Sequence, residues 1–130
     1  MTKRELNQLR DLRREIRQDA ERLAELETRA TRITQTLSGM PAGAGDGKKL
    51  EREAAAIADL RSLIEEKESR CREQLVRLEK YIQSIPDSLT RQIFTMRFVQ
   101  GKSWRRIAID TRNSEENVRQ ICHRYIMNNP

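Results

Sequence analysis

The chain has 130 residues, of which 35% are charged, 36% are hydrophobic and only 4% are aromatic, and its 26 basic and 20 acidic residues give a net charge of +6. So few large apolar side chains do not build one thick globular core, and the composition favours an all-α protein made of elongated helices. No stretch approaches the ~20 apolar residues of a membrane span, and the charged N-terminus has no signal-peptide pattern. We therefore expect a cytoplasmic protein with no membrane partner.

Residues 3–38 predict one long helix that carries a coiled-coil seam. They contain no glycine or proline, and apolar residues recur at the a and d positions of a heptad. Asp19 is the only polar residue in this seam, where it either restricts register and oligomeric state or faces solvent as the seam drifts. The seam residues are Leu9, Leu12, Ile16, Asp19, Leu23, Leu26, Ala30, Ile33 and Leu37.

Residues 39–47 predict a turn, since they hold four of the five glycines and one of the three prolines. Residues 48–84 then repeat the seven-residue apolar spacing and predict a second long helix. Two arms of nearly equal length around a turn favour an antiparallel helical hairpin over residues 1–84. The apolar positions of the second arm are Leu50, Ile57, Ile64, Cys71, Leu78 and Ile85, flanked by Ala54, Leu60, Leu75 and Ile82.

A two-helix hairpin with a narrow apolar stripe is marginally stable by itself. Ordering one residue costs ~1–2 kcal/mol, whereas burying a seam leucine contributes about 1.5–3 kcal/mol. A homodimer in which two hairpins form a four-helix bundle would bury the stripe. The alternative is that the hairpin packs against its own C-terminal domain.

Residues 85–130 predict a compact domain of three or four short helices. Asp87 or Ser88 caps the first of them, and Gly101 ends that helix as a residue that adopts positive φ readily. Ser103 and Ser114 each precede a further helical pattern, where a hydroxyl caps the first turn. Residues 101–108 and 114–121 together form a helix-turn-helix pattern, because their apolar residues stand where two crossing helices would touch.

The last helix predicts two different faces at 100° per residue. One face is apolar and is expected to pack against the domain. The other is polar and exposed. The packing face holds Val118, Ile121, Cys122 and Tyr125, and the polar face holds Glu116, Arg119, Gln120, His123 and Met127.

The stretch from Ile85 to Ile126 resembles region 4 of the sigma-70 family, and the matching segments are residues 97–101, 104–108 and 118–121. The whole layout is similar to small sigma-70 region 4-like regulators of phages and integrated elements of Gram-positive bacteria. The turn departs from the family pattern, which has glycine and an apolar residue where this chain has Arg112 and Asn113. Of these two, asparagine tolerates left-handed backbone geometry better than arginine does.

The resemblance implies a transcription regulator that binds double-stranded DNA, with the helix after Ser114 in the major groove, and it extends to contact with the RNA polymerase core. An activator fits better than a complete sigma factor, because no segment corresponds to the promoter-melting region. Residues 85–130 also hold 8 basic and 4 acidic residues, the densest positive charge in the chain.

Two sets of side chains are predicted to contact the DNA, one through bases and one through phosphates. Glutamate accepts from cytosine N4, glutamine pairs with adenine, and arginine reaches guanine or a phosphate. The alternative for both sets is an ordinary solvated helix surface. The base-contacting set is Glu116, Arg119, Gln120 and His123, and the phosphate-contacting set is Lys102, Ser103, Arg105, Arg106, Arg112 and Ser114.

No motif predicts an enzyme, a cofactor or a metal site, since the chain has one histidine and neither a phosphate-binding glycine loop nor a nucleophile elbow. Cys71 and Cys122 are expected to be reduced core or seam residues. Two other functions stay open beside transcription regulation. One is a small terminase-like subunit for phage DNA packaging, which would form rings. The other is a protein-interaction module that does not bind DNA.

Overall fold

The computed structural model describes the backbone of residues 1–38 and 44–130, with the side chains of residues 1–35 and 47–130. In this part of the chain all regular structure is helical, which confirms the predicted all-α fold of two long helices followed by short ones. None of these helices combines the length and the apolar run that a membrane crossing requires. The helices are α1 (Lys3–Ser38), α2 (Ala44–Gln83), α3 (Ser88–Phe94), which continues as a π-helical segment (Thr95–Val99), α4 (Trp104–Thr111) and α5 (Glu115–Asn128).

The long helices begin at different kinds of sequence signal. At α1, the Thr2 hydroxyl accepts from the Glu5 backbone N–H at 3.2 Å, and the Glu5 carboxylate accepts from the Thr2 N–H at 2.8 Å. This reciprocal pair is a capping box. Helix α2 begins at Ala44, four residues before the predicted start of the second arm, because glycine lowers helix propensity without forbidding the helix. The rest of the predicted turn, residues 39–43, lies outside the described residues.

The chain divides into two compact units that do not follow the predicted domain boundary. Unit 1 comprises Met1–Arg13 and Arg70–Pro130, and unit 2 comprises Arg14–Ser69. The predicted boundary at 84/85 lies inside unit 1. The reason is a shared hydrophobic cluster, to which the first turns of α1 and the last turns of α2 both contribute.

The core of unit 1 is this single cluster of buried residues. Phe94 is fully buried at its centre, with ring centroids 5.2 Å from Phe98 and 5.4 Å from Tyr125, both edge-to-face. Each such aromatic pair contributes about 0.5–1.5 kcal/mol beyond the area it buries. The cluster consists of Leu6, Leu9, Leu78, Ile82, Ile85, Ile93, Phe94, Phe98, Ile107, Ala108, Val118 and Cys122.

The link from α2 to α3 is fixed by polar contacts that the sequence partly predicts. The Asp87 carboxylate accepts from the Thr90 N–H at 2.9 Å, which confirms Asp87 as the cap of α3. The hydrogen bond from the Thr90 hydroxyl, together with this backbone bond, holds the pKa of Asp87 below its usual value. The Arg91 guanidinium donates to the Ile85 carbonyl at 2.7 Å. Together these contacts set the angle at which α3 leaves α2.

In unit 2, α1 and α2 run antiparallel, as the order of their ion pairs shows. Asp19, Glu27 and Arg29 of α1 pair with Lys67, Arg61 and Glu53 of α2. The seam is only partly covered. Of its described apolar residues in this unit, which run from Ile16 to Ile64, Leu26 is buried. The others are half-buried, with one exception.

The exception is Ala54, which was predicted to flank the second seam and is exposed. That prediction is wrong because position 54 is one residue off the seam. Counting seven residues back from Leu60 gives position 53. Glu53 is half-buried there and lies 3.6 Å from Arg29.

The polar residue in the first seam has a partner of opposite charge in the second. The Lys67 ammonium lies 2.6 Å from the Asp19 carboxylate, with only 18% and 21% of the two side chains exposed. Asp19 therefore does not simply face solvent. An ion pair at this depth costs desolvation and is retained in some coiled coils because it restricts register.

We predict that Lys67→Met lowers the unfolding free energy by roughly 1–3 kcal/mol, because it leaves a half-buried carboxylate without its main partner. The double variant Asp19→Leu/Lys67→Met should recover most of that loss. Urea unfolding at one fixed protein concentration measures both. Arg22→Ala is the control, because its pair with Glu25 is largely exposed and should change the free energy by less than about 0.5 kcal/mol. A double variant no more stable than Lys67→Met would contradict the pairing.

Candidate nucleic-acid interface

Helix α4 begins after a tight change of chain direction that the sequence predicts. Gly101 adopts a φ of 69°, which confirms it as the residue that ends the preceding helical segment. The Ser103 hydroxyl accepts from the Arg106 N–H at 3.2 Å and so caps α4 as expected. The Arg97 guanidinium donates to the Lys102 carbonyl at 3.1 Å and ties this turn to the π-helical segment.

The turn between α4 and α5 has its left-handed residue at Arg112, with a φ of 56°. Its N–H donates to the Ile109 carbonyl at 3.3 Å, and the Asn113 N–H donates to the Ala108 carbonyl at 3.0 Å. This pair of bonds is a Schellman motif, in which the residue after the helix is usually glycine. Although asparagine tolerates that geometry better, Asn113 uses its side chain instead to donate to Thr111 and to accept from Asn117.

Helix α5 packs through the apolar face that its sequence predicts. The Ser114 hydroxyl accepts from the Asn117 N–H at 3.1 Å and caps the helix. Val118 and Cys122 are buried, while Ile121 and Tyr125 are partly buried against the same cluster. Burial raises the pKa of the Cys122 thiol to about 12, so this residue is an inert apolar side chain at neutral pH. Both cysteines are free, as expected.

The opposite face of α5 is exposed along its length. The Arg119 guanidinium lies 2.6 Å from the Glu115 carboxylate, and the Gln120 amide donates to Glu116 at 3.4 Å. These i, i+4 contacts hold the two longer side chains along the helix in the free protein. All four predicted base-contacting residues lie on this face: Glu116, Arg119, Gln120 and His123.

The predicted phosphate-contacting residues lie on α4 and at the two turns. Two of their cations are already paired with a carboxylate. Asp110 lies 3.0 Å from the Lys102 ammonium and 3.2 Å from the Arg106 guanidinium. The Lys102 hydrogen bond, helped by the charge of Arg106, lowers the pKa of Asp110. Arg105 and Arg112 are exposed. The two serines serve as helix caps and also remain exposed.

Sequence reasoning missed three features of this surface. Asp110 follows Arg106 by four residues, so helical spacing gave a signal for that pair but none for Lys102. Arg97 lies 4.5 Å from the centroid of the Trp104 ring, a cation–π contact between residues on different helical segments. The Arg13 guanidinium donates to the Val99 carbonyl across 86 positions of sequence, a contact that no local pattern reveals.

Positive charge is concentrated in unit 1. Its two segments hold 16 basic and 8 acidic residues, a net charge of +8, whereas unit 2 holds 10 basic and 12 acidic residues, a net charge of −2. The unit that contains α4 and α5 therefore carries all of the excess charge of the chain. Such a field attracts polyanions and raises their rate of association.

The exposed side chains of α4 and α5 are mostly polar or charged. Within the described residues, no group of three or more His, Cys, Asp or Glu side chains is placed to hold a metal ion. Comparison of the chain with protein-family models, with curated proteins and with solved structures finds no match.

We predict that Arg112→Gly raises the unfolding free energy by up to about 1 kcal/mol, because glycine adopts this φ without the Cβ strain of an L-residue. Asn113→Gly is the matched control at the next position. It should lower the unfolding free energy by about 1 kcal/mol, since it removes two side-chain hydrogen bonds and loosens the unfolded chain. Thermal and urea unfolding measure both. Equal destabilisation by the two variants would be inconsistent with a strained turn at Arg112.

Proposed function

We propose that this protein is a sequence-specific double-stranded DNA-binding transcription regulator in which α4 and α5 form a helix-turn-helix and α5 enters the major groove. The observation that supports this most is that α5 has one buried face and one exposed face. Its buried face fixes the helix against a cluster, while a continuous polar face is exposed on the unit with a net charge of +8. A helix of this kind fits the major groove, which is about 12 Å wide.

In this proposal the exposed face of α5 distinguishes bases and the surroundings of α4 hold the backbone. Glu116 and Gln120 lie in the first turns of α5, where a recognition helix meets base edges. Arg105 and Arg112 are exposed cations beside them, suited to phosphates. Binding would move Lys102 and Arg106 from Asp110 to phosphate oxygens, so these two residues contribute less to affinity than fully unpaired cations.

Two features of the proposal rest on the resemblance to sigma region 4, not on a contact in the structure. Contact with the RNA polymerase core stays a prediction, as does the direction of regulation. The cytoplasmic location follows if the DNA target is a bacterial or phage genome.

We predict that the purified full-length protein selects a reproducible motif from a random duplex library and that its affinity falls steeply with salt. Gln120→Ala should then lose about 1–3 kcal/mol of preference for the motif over random DNA. Arg106→Ala should instead weaken both duplexes alike and flatten the slope of log K against log salt by less than one, because Asp110 already pairs with this guanidinium in the free protein. Fluorescence anisotropy over a salt series measures all three proteins.

Each alternative function has its own outcome in this experiment. Salt-dependent binding without an enriched motif, combined with a ring of many subunits in light scattering, would favour DNA packaging. No salt-dependent affinity for any duplex would indicate a protein-interaction module and defeat the proposal.

We also propose that the hairpin of unit 2 dimerises through its apolar seam. Most described seam residues of this unit stay half-buried, and Leu63 beside the seam is 40% exposed. A second copy is the fitting partner because the charges of unit 2 nearly balance, so two hairpins do not repel strongly. The seam ion pair between Asp19 and Lys67 would help to fix the register of such an assembly.

We predict that the wild-type protein sediments as a dimer at micromolar concentration and that Leu63→Glu dissociates it while the helical circular dichroism stays unchanged. The cause is a charge placed beside an apolar interface. Val76→Glu is the control, because Val76 is on the same helix but in unit 1 and is already 67% exposed. A wild-type monomer under these conditions would rule out the hairpin as a dimerisation element, and the DNA-binding proposal would be unaffected.

A further inference from the structure

One carboxylate lies among the cations of the proposed backbone contact. Asp110 is in the last turn of α4, and its two oxygens lie 3.0 Å from the Lys102 ammonium and 3.2 Å from the Arg106 Nε. The spacing of four residues between Arg106 and Asp110 places both on one side of the helix. A single acidic side chain therefore pairs with two of the cations that are predicted to contact phosphates.

The stability of α4 does not explain the position of this carboxylate. Helix α4 ends at Thr111, one residue after Asp110, and a negative charge near the C-terminal end of a helix meets the partial negative charge of the last carbonyl groups. The Asp110 side chain is also only 21% exposed, so it loses part of its hydration. Its two cationic partners compensate for both costs.

The two cations remain accessible to an anion in solution. The Arg106 side chain is 63% exposed and the Lys102 side chain is 35% exposed. A phosphate can therefore reach both groups. It meets a carboxylate between them, however, so that the local net charge is +1 instead of +2.

The carboxylate is charged when the protein meets DNA near neutral pH. The hydrogen bond from Lys102 and the charge of Arg106 lower the pKa of Asp110 below its usual value. Asp110 therefore repels a phosphate oxygen at the same place where Lys102 and Arg106 attract it.

We propose that Asp110 is an intramolecular competitor of the DNA backbone, which limits the affinity of the protein for duplexes of any sequence. This inference rests on the proposed function and adds a residue that regulates it. Phosphate contacts supply nearly all of the affinity for non-specific DNA, and a genome offers far more non-specific than specific sites. A residue that weakens these contacts shortens the time spent on non-specific DNA, while the base contacts of α5 stay unchanged.

The test begins with Asp110→Asn in the full-length protein. Asparagine has nearly the same size, and its carbonyl oxygen can still accept from Lys102 or Arg106, so the main change is the loss of charge. Asp110→Asn should bind both the selected duplex and a random duplex roughly three- to tenfold more tightly, the gain expected from releasing two partly exposed ion pairs. The preference for the selected duplex should not change. Fluorescence anisotropy with both duplexes measures these affinities.

Glu79→Gln is the matched control for net charge. It removes one negative charge from an exposed residue of α2 in the same unit. In the described part of the chain no ion pair joins Glu79 to Lys102 or Arg106. Glu79→Gln should change the affinity by less than about twofold, because salt screens exposed charges that do not contact the DNA. Equal gains by Glu79→Gln and Asp110→Asn would attribute the effect to net charge and overturn the inference.

A double-mutant cycle shows whether Asp110 acts through its partner. Arg106→Ala should weaken binding more in the Asp110→Asn background than in the wild-type background, because Arg106 then has no internal carboxylate to leave. Equal losses in the two backgrounds overturn the competition. A folded Asp110→Asn protein that binds DNA more weakly than the wild type also overturns it, since the carboxylate would then orient the two cations for DNA.

Failure of this inference is distinguishable from failure of the proposed function. If the wild-type protein binds DNA with the expected salt dependence and Asp110→Asn has the same affinity, only the inference is overturned. A wild-type protein without salt-dependent affinity for any duplex overturns the proposed function as well. Circular dichroism and urea unfolding of each variant confirm that it is folded.

Discussion

The hydrophobic cluster of unit 1 is the constraint on which the rest of the structure depends. It joins Leu6 and Leu9, near the start of the chain, to Leu78, Ile82 and the helices that follow them. Without it, α3 to α5 would be short helices, which are marginal in water by themselves. The cluster gives α5 a fixed orientation and places the basic start of α1 in the same compact unit. The electrostatics of the proposed interface therefore depend on apolar packing.

Unit 2 is held together by a smaller buried apolar area than unit 1. Its two helices share a seam in which most described side chains are half-buried, and Asp19 with Lys67 places opposite charges inside it. Such a pair contributes little net stability after desolvation, but any register that separated the two charges would leave each of them poorly paired. One explanation therefore accounts for both the ion pair and the uncovered part of the seam. It is the proposed dimer of hairpins, in which the helices have to pair in one register.

Sequence predicted those features that depend on neighbouring residues. The caps Asp87, Ser103 and Ser114 and the glycine at 101 are local signals, and the structure confirms each of them. The heptad pattern likewise predicted two long helices. Three other features were missed or wrong: the exposure of Ala54, the left-handed Arg112 and the contact of Arg13 with the Val99 carbonyl. Ala54 lies one residue off the seven-residue spacing, and Arg112 adopts a backbone geometry that its residue type disfavours. Only the contact of Arg13 with Val99 depends on the packing of distant segments.

The number of cations on the proposed interface overstates the number of phosphates that it would neutralise. Lys102 and Arg106 share Asp110, and Arg119 pairs with Glu115, so three of the predicted contacts begin from an internal ion pair. Exchanging a carboxylate for a phosphate releases fewer counterions in net terms than exposing a free cation to DNA. Arg105 and Arg112, by contrast, are exposed cations. The salt dependence of binding should therefore depend more on Arg105 and Arg112 than on Lys102, Arg106 and Arg119.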